Sequence, residues 1–173
     1  MDKHVLSVLV RNSFGVLSRV SGLFSRRGFN IESLTVGKTQ DEDISRMTIS
    51  ILGNDEVLDQ VIKQLNKLED VKKIININDE DSIYRELVLV KVKATANERA
   101  TINEVVKIFR CKIVDIAKDS LTIELTGDES KVTALIELVS EYGIKEIVRT
   151  GITALERGDK EITAYGEYFE GEY

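Results

Sequence analysis

The order of secondary-structure elements is decided by residues 4–37, which read HVLSVLVRNSFGVLSRVSGLFSRRGFNIESLTVG. Branched apolar side chains fill the first part of this stretch and predict a strand. The letters NSFG break the pattern at Asn12–Gly15. Apolar side chains then recur at helical spacing until Gly28, which is placed to end the helix. A second strand is predicted over residues 31–38.

Working outward, the same kinds of element continue to residue 77. Polar and apolar side chains alternate over residues 46–51, which predicts a strand with one buried face. Asn54 is placed to start a second helix, and residues 71–77 predict a fourth strand. The order βαββαβ is that of the ferredoxin-like split βαβ motif, an antiparallel sheet with two helices on one face.

The order repeats after an acidic junction at residues 78–81. Further strands are predicted at 87–92, 113–117, 121–125 and 144–148, and further helices around 102–109 and 132–139. We therefore predict an α+β fold of two ferredoxin-like βαββαβ units, over residues 4–78 and 79–157. Residues 158–173 form an acidic tail with several aromatic side chains. This tail is either a partly disordered end or a docking peptide with aromatic anchors.

The composition excludes several classes of function. The 173 residues carry 24 Lys+Arg and 30 Asp+Glu, a net charge of −6, whereas nucleic-acid binders usually show a basic stripe. A single cysteine excludes an internal disulfide and a zinc site built from several cysteines. A single histidine leaves little for imidazole catalysis. Because no phosphate-loop, metalloprotease or nucleophile-elbow motif occurs either, we predict no catalytic residue and no metal site.

The lone histidine and the lone cysteine have ordinary interpretations. We expect His4 to pack at a surface or a strand edge. We expect Cys111 to be a small buried hydrophobe, although its cationic neighbours Arg110 and Lys112 could modestly raise its reactivity.

Nothing in the sequence indicates a secretory leader or a membrane span. The longest uninterrupted apolar run is Leu87–Val90, far short of the roughly 20 residues that cross a bilayer. We therefore expect a cytoplasmic protein without a membrane partner, which suits its single thiol.

The candidate binding site is the junction between the first strand and the first helix. The free N–H groups of a helix N-terminus favour a carboxylate or a phosphate, and Gly15 would let a ligand approach the backbone closely. Asn12 and Asn30 offer amide groups to an amino-acid ligand, whose carboxylate would lie at the helix. The alternative is ordinary capping by Asn12 or Ser13, with Asn30 in a turn.

A family resemblance is carried by the opening stretch together with SRMTIS at 45–50, RELVLVKV at 85–92, IFRCKIVDIAKDSLTIELTGD at 108–128 and IVRTGITALERGD at 147–159. These stretches resemble the small regulatory subunit of acetolactate synthase, also called acetohydroxyacid synthase, whose N-terminal part is an ACT domain. The letters RGFNIESLTV and SRMTI are quite specific to that subunit within the wider ACT group. The resemblance covers nearly the whole chain and leaves out the tail from about Lys160.

The resemblance implies where an effector would bind. In that family the ACT domain binds a branched-chain amino acid, usually valine, at the interface between two ACT domains, so a homodimer is expected. Residues 4–78 would then be the effector-binding domain and residues 79–157 a C-terminal regulatory domain. The effector-binding residues carried over from the family are Asn12, Gly15, Val16, Leu17, Asn30 and Ile31.

The resemblance also implies a partner. The small subunit activates a catalytic large subunit and confers feedback inhibition in valine, leucine and isoleucine biosynthesis. The large subunit would hold thiamine diphosphate, Mg²⁺ and FAD, while this chain would bind no cofactor and supply no catalytic residue. The N-terminal domain is expected to do most of the activating, and the second unit to be needed for full inhibition.

Three other functions are known on folds of this kind. One is a free-standing ACT-type amino-acid sensor with a different partner, which a pull-down with a large subunit would distinguish from a regulatory subunit. An acylphosphatase-like enzyme could use Arg11, Arg19 and Asn30, but the Gly- and Gln-containing loop of that family is absent. An RNA-binding module would need aromatic side chains on its central strands, and residues 47–51 and 113–117 contain none.

Overall fold

The described part of the computed structural model, residues 2–77 and 81–163, contains nine strands and four helices. As far as these residues define them, there are two units, one from Met1–Ile83 with Ala154–Tyr173 and one from Tyr84–Thr153. Each unit has its own antiparallel sheet with two helices on one face. The predicted α+β class and the repetition of the βαββαβ order are confirmed.

The first unit contains β1 (Asp2–Arg11), α1 (Val16–Arg27), β2 (Ile31–Lys38), β3 (Ile44–Gly53), α2 (Asp55–Leu65) and β4 (Val71–Ile77). Its strands are ordered β2-β3-β1-β4, and each neighbouring pair is antiparallel. The side chains of the central strands that face the helices form the core; they are Leu6, Val8, Val10, Met47, Ile49 and Ile51.

Both predicted helix boundaries of the first unit have a clear physical cause. Gly28 follows α1 with a φ of +70°, and its N–H donates to Ser25 O at 3.2 Å, so the left-handed residue closes the last turn. At the start of α2, Asn54 Oδ1 accepts a hydrogen bond from Val57 N at 3.1 Å.

Both faces of β3 are buried, whereas the sequence pattern predicted a strand with only one buried face. Thr48 and Ser50 are buried as well, with 2% and 1% of their surface exposed. Ser50 shares a hydrogen bond of 2.7 Å with Ser33, and Arg46 lines a cavity whose other wall begins at Ala154. The prediction was wrong because it took the polar side chains of the alternating pattern to be exposed. Small hydroxyl side chains can be buried once they are hydrogen-bonded.

The second unit contains β5 (Ser82–Lys93), α3 (Arg99–Ile108), β6 (Lys112–Ala117), β7 (Ser120–Gly127), α4 (Glu129–Ser140) and β8 (Ile144–Arg149). Its strands are ordered β6-β7-β5-β8. The chain then forms β9 (Thr153–Glu156), of which residues 154–156 are grouped with the first unit. The short strand β9, which the sequence analysis did not predict, pairs with β5. The buried carboxylate of Glu86, only 3% exposed, accepts two hydrogen bonds of 2.7 Å from the guanidinium of Arg149.

The end of α3 is closed by a residue that is not glycine. Arg110 has a φ of +54°, and the N–H of the next residue, Cys111, donates to Val106 O at 2.8 Å. This is the hydrogen-bond pattern of a Schellman motif, in which glycine usually takes the left-handed position.

The division of the chain differs from the sequence expectation at its C-terminal end. Residues 154–157, which the sequence pattern places in the second unit, are grouped with the first. Of the predicted tail, only residues 158–163 are described, and Lys160 forms an ion pair of 3.2 Å with Asp81. The aromatic residues of the tail and residues 78–80 of the junction lie outside the described residues. The functional labels given to the two units stay predictions.

Candidate functional site

The loop that follows β1 is fixed by its neighbour, the loop between β2 and β3. Asn12 N donates to Asp43 O at 2.7 Å, and Asn12 Nδ2 donates to Glu42 O at 2.7 Å. Since the amide nitrogen is directed at the protein, the Oδ1 atom of Asn12 is presented on the other side. That atom is an acceptor of the kind that an ammonium group needs.

Gly15 starts α1 in a conformation that few other residues adopt. Its φ is +82°, and a Cβ atom placed on it would lie 2.9 Å from Nη1 of Arg19. Gly15 occupies the N-cap position, and α1 has neither a side-chain hydrogen bond at its cap nor an acidic residue in its first turn. The predicted alternative, that Asn12 or Ser13 caps this helix, is therefore wrong. Val16 N donates only a long hydrogen bond of 3.4 Å to Ser13 O, and the next N–H groups of the first turn, those of Leu17 and Ser18, remain open to an anion.

The first two helical residues play different parts. Val16 is 2% exposed and packs in the core of the first unit, so only its backbone can meet a ligand. Leu17, in contrast, exposes 46% of its surface, and the neighbouring Phe14 is fully exposed. The loop therefore combines open N–H groups, an amide oxygen and apolar surface.

Asn30 and Ile31 lie at the opposite end of the same sheet. Ile31 is opposite Ile51 of β3, which in turn is opposite His4 near the start of β1, whereas Asn12 follows the last residue of β1. Because a strand rises about 3.3 Å per residue, Asn30 and Asn12 of one chain lie roughly 25 Å apart. The structure thus brings together four of the six predicted residues and places the other two at a separate location.

Asn30 is positioned by a local contact. Its Nδ2 atom donates to Glu32 Oε1 at 2.6 Å, and both side chains are exposed. As at Asn12, the amide nitrogen is directed to a neighbour and the amide oxygen is left as the acceptor.

The part played by the β2–β3 loop could not be recognised in the sequence. The two atoms that hold Asn12 are backbone carbonyl oxygens of Glu42 and Asp43. A carbonyl carries no side-chain signature, so only the tertiary structure reveals that this loop supports the site.

The two residues considered for chemistry are placed as ordinary structural groups. His4 is half-buried at the edge of the first unit's core, and its Nε2 lies 3.3 Å from Gly53 O. Burial raises the pKa of the Cys111 thiol, and the nearby charge of Lys131 opposes this only in part. The raised pKa makes the thiol less reactive than a free cysteine.

Within residues 2–77 and 81–163, no group of three or more His, Cys, Asp and Glu side chains is arranged to hold a metal ion. In the same part of the chain, none of the helices combines the length and the apolar character that crossing a membrane requires.

Comparison with known proteins identifies the family. A model described as the AHAS small subunit-like ACT domain matches residues 6–73, and a model described as the small subunit of acetolactate synthase matches residues 85–158. The chain belongs to the acetolactate synthase small-subunit family. The resemblance found in the sequence is thereby confirmed, and the acylphosphatase-like and RNA-binding alternatives lose their support.

Individual members of the acetolactate synthase small-subunit family match over almost their whole length. A probable acetolactate synthase small subunit of Archaeoglobus fulgidus is 56% identical over 158 residues, 91% of this chain and 99% of that protein. The small subunit of Mycolicibacterium smegmatis is 51% identical over 161 residues, 93% and 95% of the two chains. The crystal structure of the Thermotoga maritima small subunit is 40% identical with a TM-score of 0.85, and the match covers 92% of this chain and all of that one.

Proposed function

We propose that this chain is a regulatory, non-catalytic subunit of acetolactate synthase. It activates the catalytic large subunit and makes it sensitive to feedback inhibition by valine or another branched-chain amino acid. The observation that carries the proposal is the uncapped N-terminus of α1 beside Asn12, in a chain whose two halves both match small-subunit models.

The proposed site recognises the two charged groups of an amino acid separately. The α-carboxylate lies at the open N–H group of Leu17 and the N–H group of Val16, which has only a long hydrogen bond of 3.4 Å to Ser13 O, and the helix dipole also favours an anion there. The ammonium group donates hydrogen bonds to the amide oxygens of Asn12 and Asn30. Neither Asn side chain is charged, so the site suits a zwitterion better than a strongly charged ligand.

The aliphatic side chain of the effector lies against apolar groups, among them Leu17 and Ile31. Such a surface rejects polar amino acids but separates valine from leucine or isoleucine only weakly, because one methylene is worth roughly 1–3 kcal/mol. We therefore expect a graded response to the three branched-chain amino acids.

A complete site requires two copies of the first unit. Asn12 and Asn30 of one chain are too far apart to touch one small ligand, but β2 is an edge strand of its sheet and its Val36 is 47% exposed. Pairing β2 antiparallel with its copy brings the Asn30 end of one strand beside the Lys38 end of the other. Lys38 is level with Val10 across β3, next to the Asn12 loop. A twofold axis then creates two equal sites, each with Asn12 from one chain and Asn30 from the other.

Regulation follows from how the effector binds the two states of the complex. An effector inhibits only when it binds more tightly to the arrangement that supports less activity. A ligand lying between two ACT units can do this by fixing how they are set against each other. The thiamine diphosphate, Mg²⁺ and FAD that serve the condensation of two pyruvates, or of pyruvate with 2-oxobutyrate, belong in this proposal to the large subunit.

The deciding experiment is the activity of an acetolactate synthase large subunit with and without this chain, in the presence of valine, leucine or isoleucine. We expect the chain to raise the activity, and at least one of these amino acids to lower it only when the chain is present. If the chain binds a branched-chain amino acid but neither associates with a large subunit nor changes its activity, it is a free-standing ACT sensor instead.

A further inference from the structure

A cavity of about 410 Å³ lies on the face of the first sheet that is turned away from α1 and α2. Side chains from β1, β3 and β4 form one wall, and residues between Ala154 and Thr163 form the other. All of these residues belong to the first unit. The volume falls within the range of about 300–1,000 Å³ that is usual for small-molecule sites.

Two polar groups of the cavity wall lack a partner among the described residues. Ser7 is 2% exposed, and its Oγ atom is buried without a hydrogen bond. The Nε atom of Arg46 is also buried without a hydrogen bond. Ser7 pairs with Thr48 on β3, two residues along from Arg46, so both side chains point to the same face of the sheet. Buried polar atoms nearly always have a hydrogen-bond partner, so these two atoms on one cavity wall indicate that a bound ligand is the missing partner.

Arg46 supplies a cation that has no ion pair with another described residue. Its guanidinium forms no ion pair with a described carboxylate, although Glu156 is close enough for its charge to act on it. Burial lowers the pKa of Arg46, yet an arginine remains protonated in proteins. The guanidinium presents parallel N–H donors in the geometry that a carboxylate accepts best.

The other side chains that line the cavity indicate how apolar and how highly charged its ligand can be. Most of it is apolar, contributed by Leu9, Ile44, Ile75, Ile77, Leu155 and Ile162. The charged groups that line the cavity besides Arg46 are Asp41, Glu156, Glu161 and Lys160, and Lys160 is paired with Asp81. Three carboxylates beside one unpaired arginine disfavour a polyanion such as a nucleotide, since like charges repel across a partly buried site.

We propose that this cavity is a second ligand site, which takes a small monocarboxylic acid with an apolar body and holds its carboxylate on Arg46 and Ser7. The site is separate from the proposed amino-acid site, because it lies on the helix-free face of the sheet and needs no second copy of the chain.

The test uses the full chain with isocaproate as the probe and isocaproamide as its neutral counterpart. Calorimetry and the Nε–Hε resonance of Arg46 in isotope-labelled protein report the binding. We expect the acid to bind and to shift that resonance, and the amide to bind at least about tenfold more weakly, because it cannot form the charge-assisted pair. Absence of binding at about 10 mM acid, or equal binding of the two probes, overturns the proposal.

Variants then locate the site. Arg46→Met keeps the length of the side chain and removes its charge, so it should fold and lose at least about tenfold in affinity for the acid. Ser7→Ala should lose a smaller factor, and Arg27→Met, which alters an arginine on the helix side of the sheet, should bind like the unaltered chain. The acid should also raise the melting temperature of the unaltered chain but not that of Arg46→Met.

A second comparison separates this proposal from the amino-acid site. Asn30→Ala should keep full affinity for isocaproate, because Asn30 does not line the cavity. If Asn30→Ala abolishes isocaproate binding while Arg46→Met preserves it, the acid occupies the amino-acid site and the cavity proposal fails. The proposed function would be unaffected by that result.

Discussion

Asn12 Nδ2 donates a hydrogen bond of 2.7 Å to Glu42 O, and this contact joins the loop before α1 to the loop between β2 and β3. It determines which end of the amide faces a ligand: the nitrogen is held by the protein and the oxygen is presented outward. The same β2–β3 loop contributes Thr39 and Asp41 to the wall of the cavity on the helix-free face. One short loop therefore contacts both proposed ligand sites.

Replacing Asn12 with aspartate tests the orientation of its amide. Asn12→Asp removes the N–H group that donates to Glu42 O, and that carbonyl oxygen repels the new carboxylate, so the acceptor for the effector's ammonium group is no longer held in place. We expect a modest loss of stability, about 1 kcal/mol for an exposed hydrogen bond, and a much larger loss of valine affinity, at least about tenfold. Calorimetry measures the affinity and urea unfolding the stability. Unchanged valine binding would mean that Asn12 is not at the site.

Gly15→Asp tests the start of α1. The aspartate is strained at a φ of +82°, its Cβ crowds Arg19, and its charge competes for the same N–H groups as the effector. Valine inhibition of the complex with the large subunit should disappear while activation remains largely intact. Gly28→Ala is the matched control, because Gly28 also has a positive φ but lies at the other end of α1. If Gly15→Asp remains fully sensitive to valine, the site has been placed wrongly.

Arg110→Gly is expected to stabilise the second unit. Arg110 holds a φ of +54° in the left-handed region, which costs a side chain other than glycine on the order of 1 kcal/mol. The urea midpoint should therefore rise, by the equivalent of about 0.5–1 kcal/mol. Gly28→Ala, where nothing crowds the added Cβ, should lower the stability by a similar amount. A fall in stability for Arg110→Gly would show that the arginine side chain makes a contact worth more than its backbone strain.

Removing one member of the Glu86–Arg149 ion pair should cost more stability than removing both members. Arg149→Met leaves the buried carboxylate of Glu86 without its partner, so we expect a loss of about 3 kcal/mol in the free energy of unfolding. Changing both residues, with Glu86→Gln and Arg149→Met together, should recover most of that loss because no charge is then left buried. Urea unfolding of the two variants gives the comparison. Equal losses for the single and the double variant would contradict the explanation.

The fold could be predicted from the sequence to a large extent because the helix stripes and strand runs are regular and their ends are marked. Gly28 and Asn54 are such markers, and both act as expected. The short strand β9 and the burial of Thr48 and Ser50 could not be predicted, because both depend on contacts between residues far apart in the sequence. Local patterns carry no information about such contacts.

The candidate site was predictable only in part for the same reason. The residue types of the loop point to an amino acid, but nothing in the sequence indicates that Asn30 lies at the far end of the sheet from Asn12. That separation follows from the strand register. It means that one small ligand cannot touch both asparagines of a single chain, so the proposed site takes one asparagine from each of two chains.

The most direct measurement of this central claim is complementation between two defective chains. Asn12→Ala and Asn30→Ala are each expected to abolish valine binding in a homodimer, because every shared site then lacks one asparagine. A mixed dimer, obtained by co-expression with two different tags, contains one site with both asparagines and one with neither. We predict that equilibrium dialysis of the purified mixed dimer recovers about half of the valine capacity of the unaltered dimer. A mixed dimer that binds no valine, while the unaltered dimer does, would contradict a site shared between two chains.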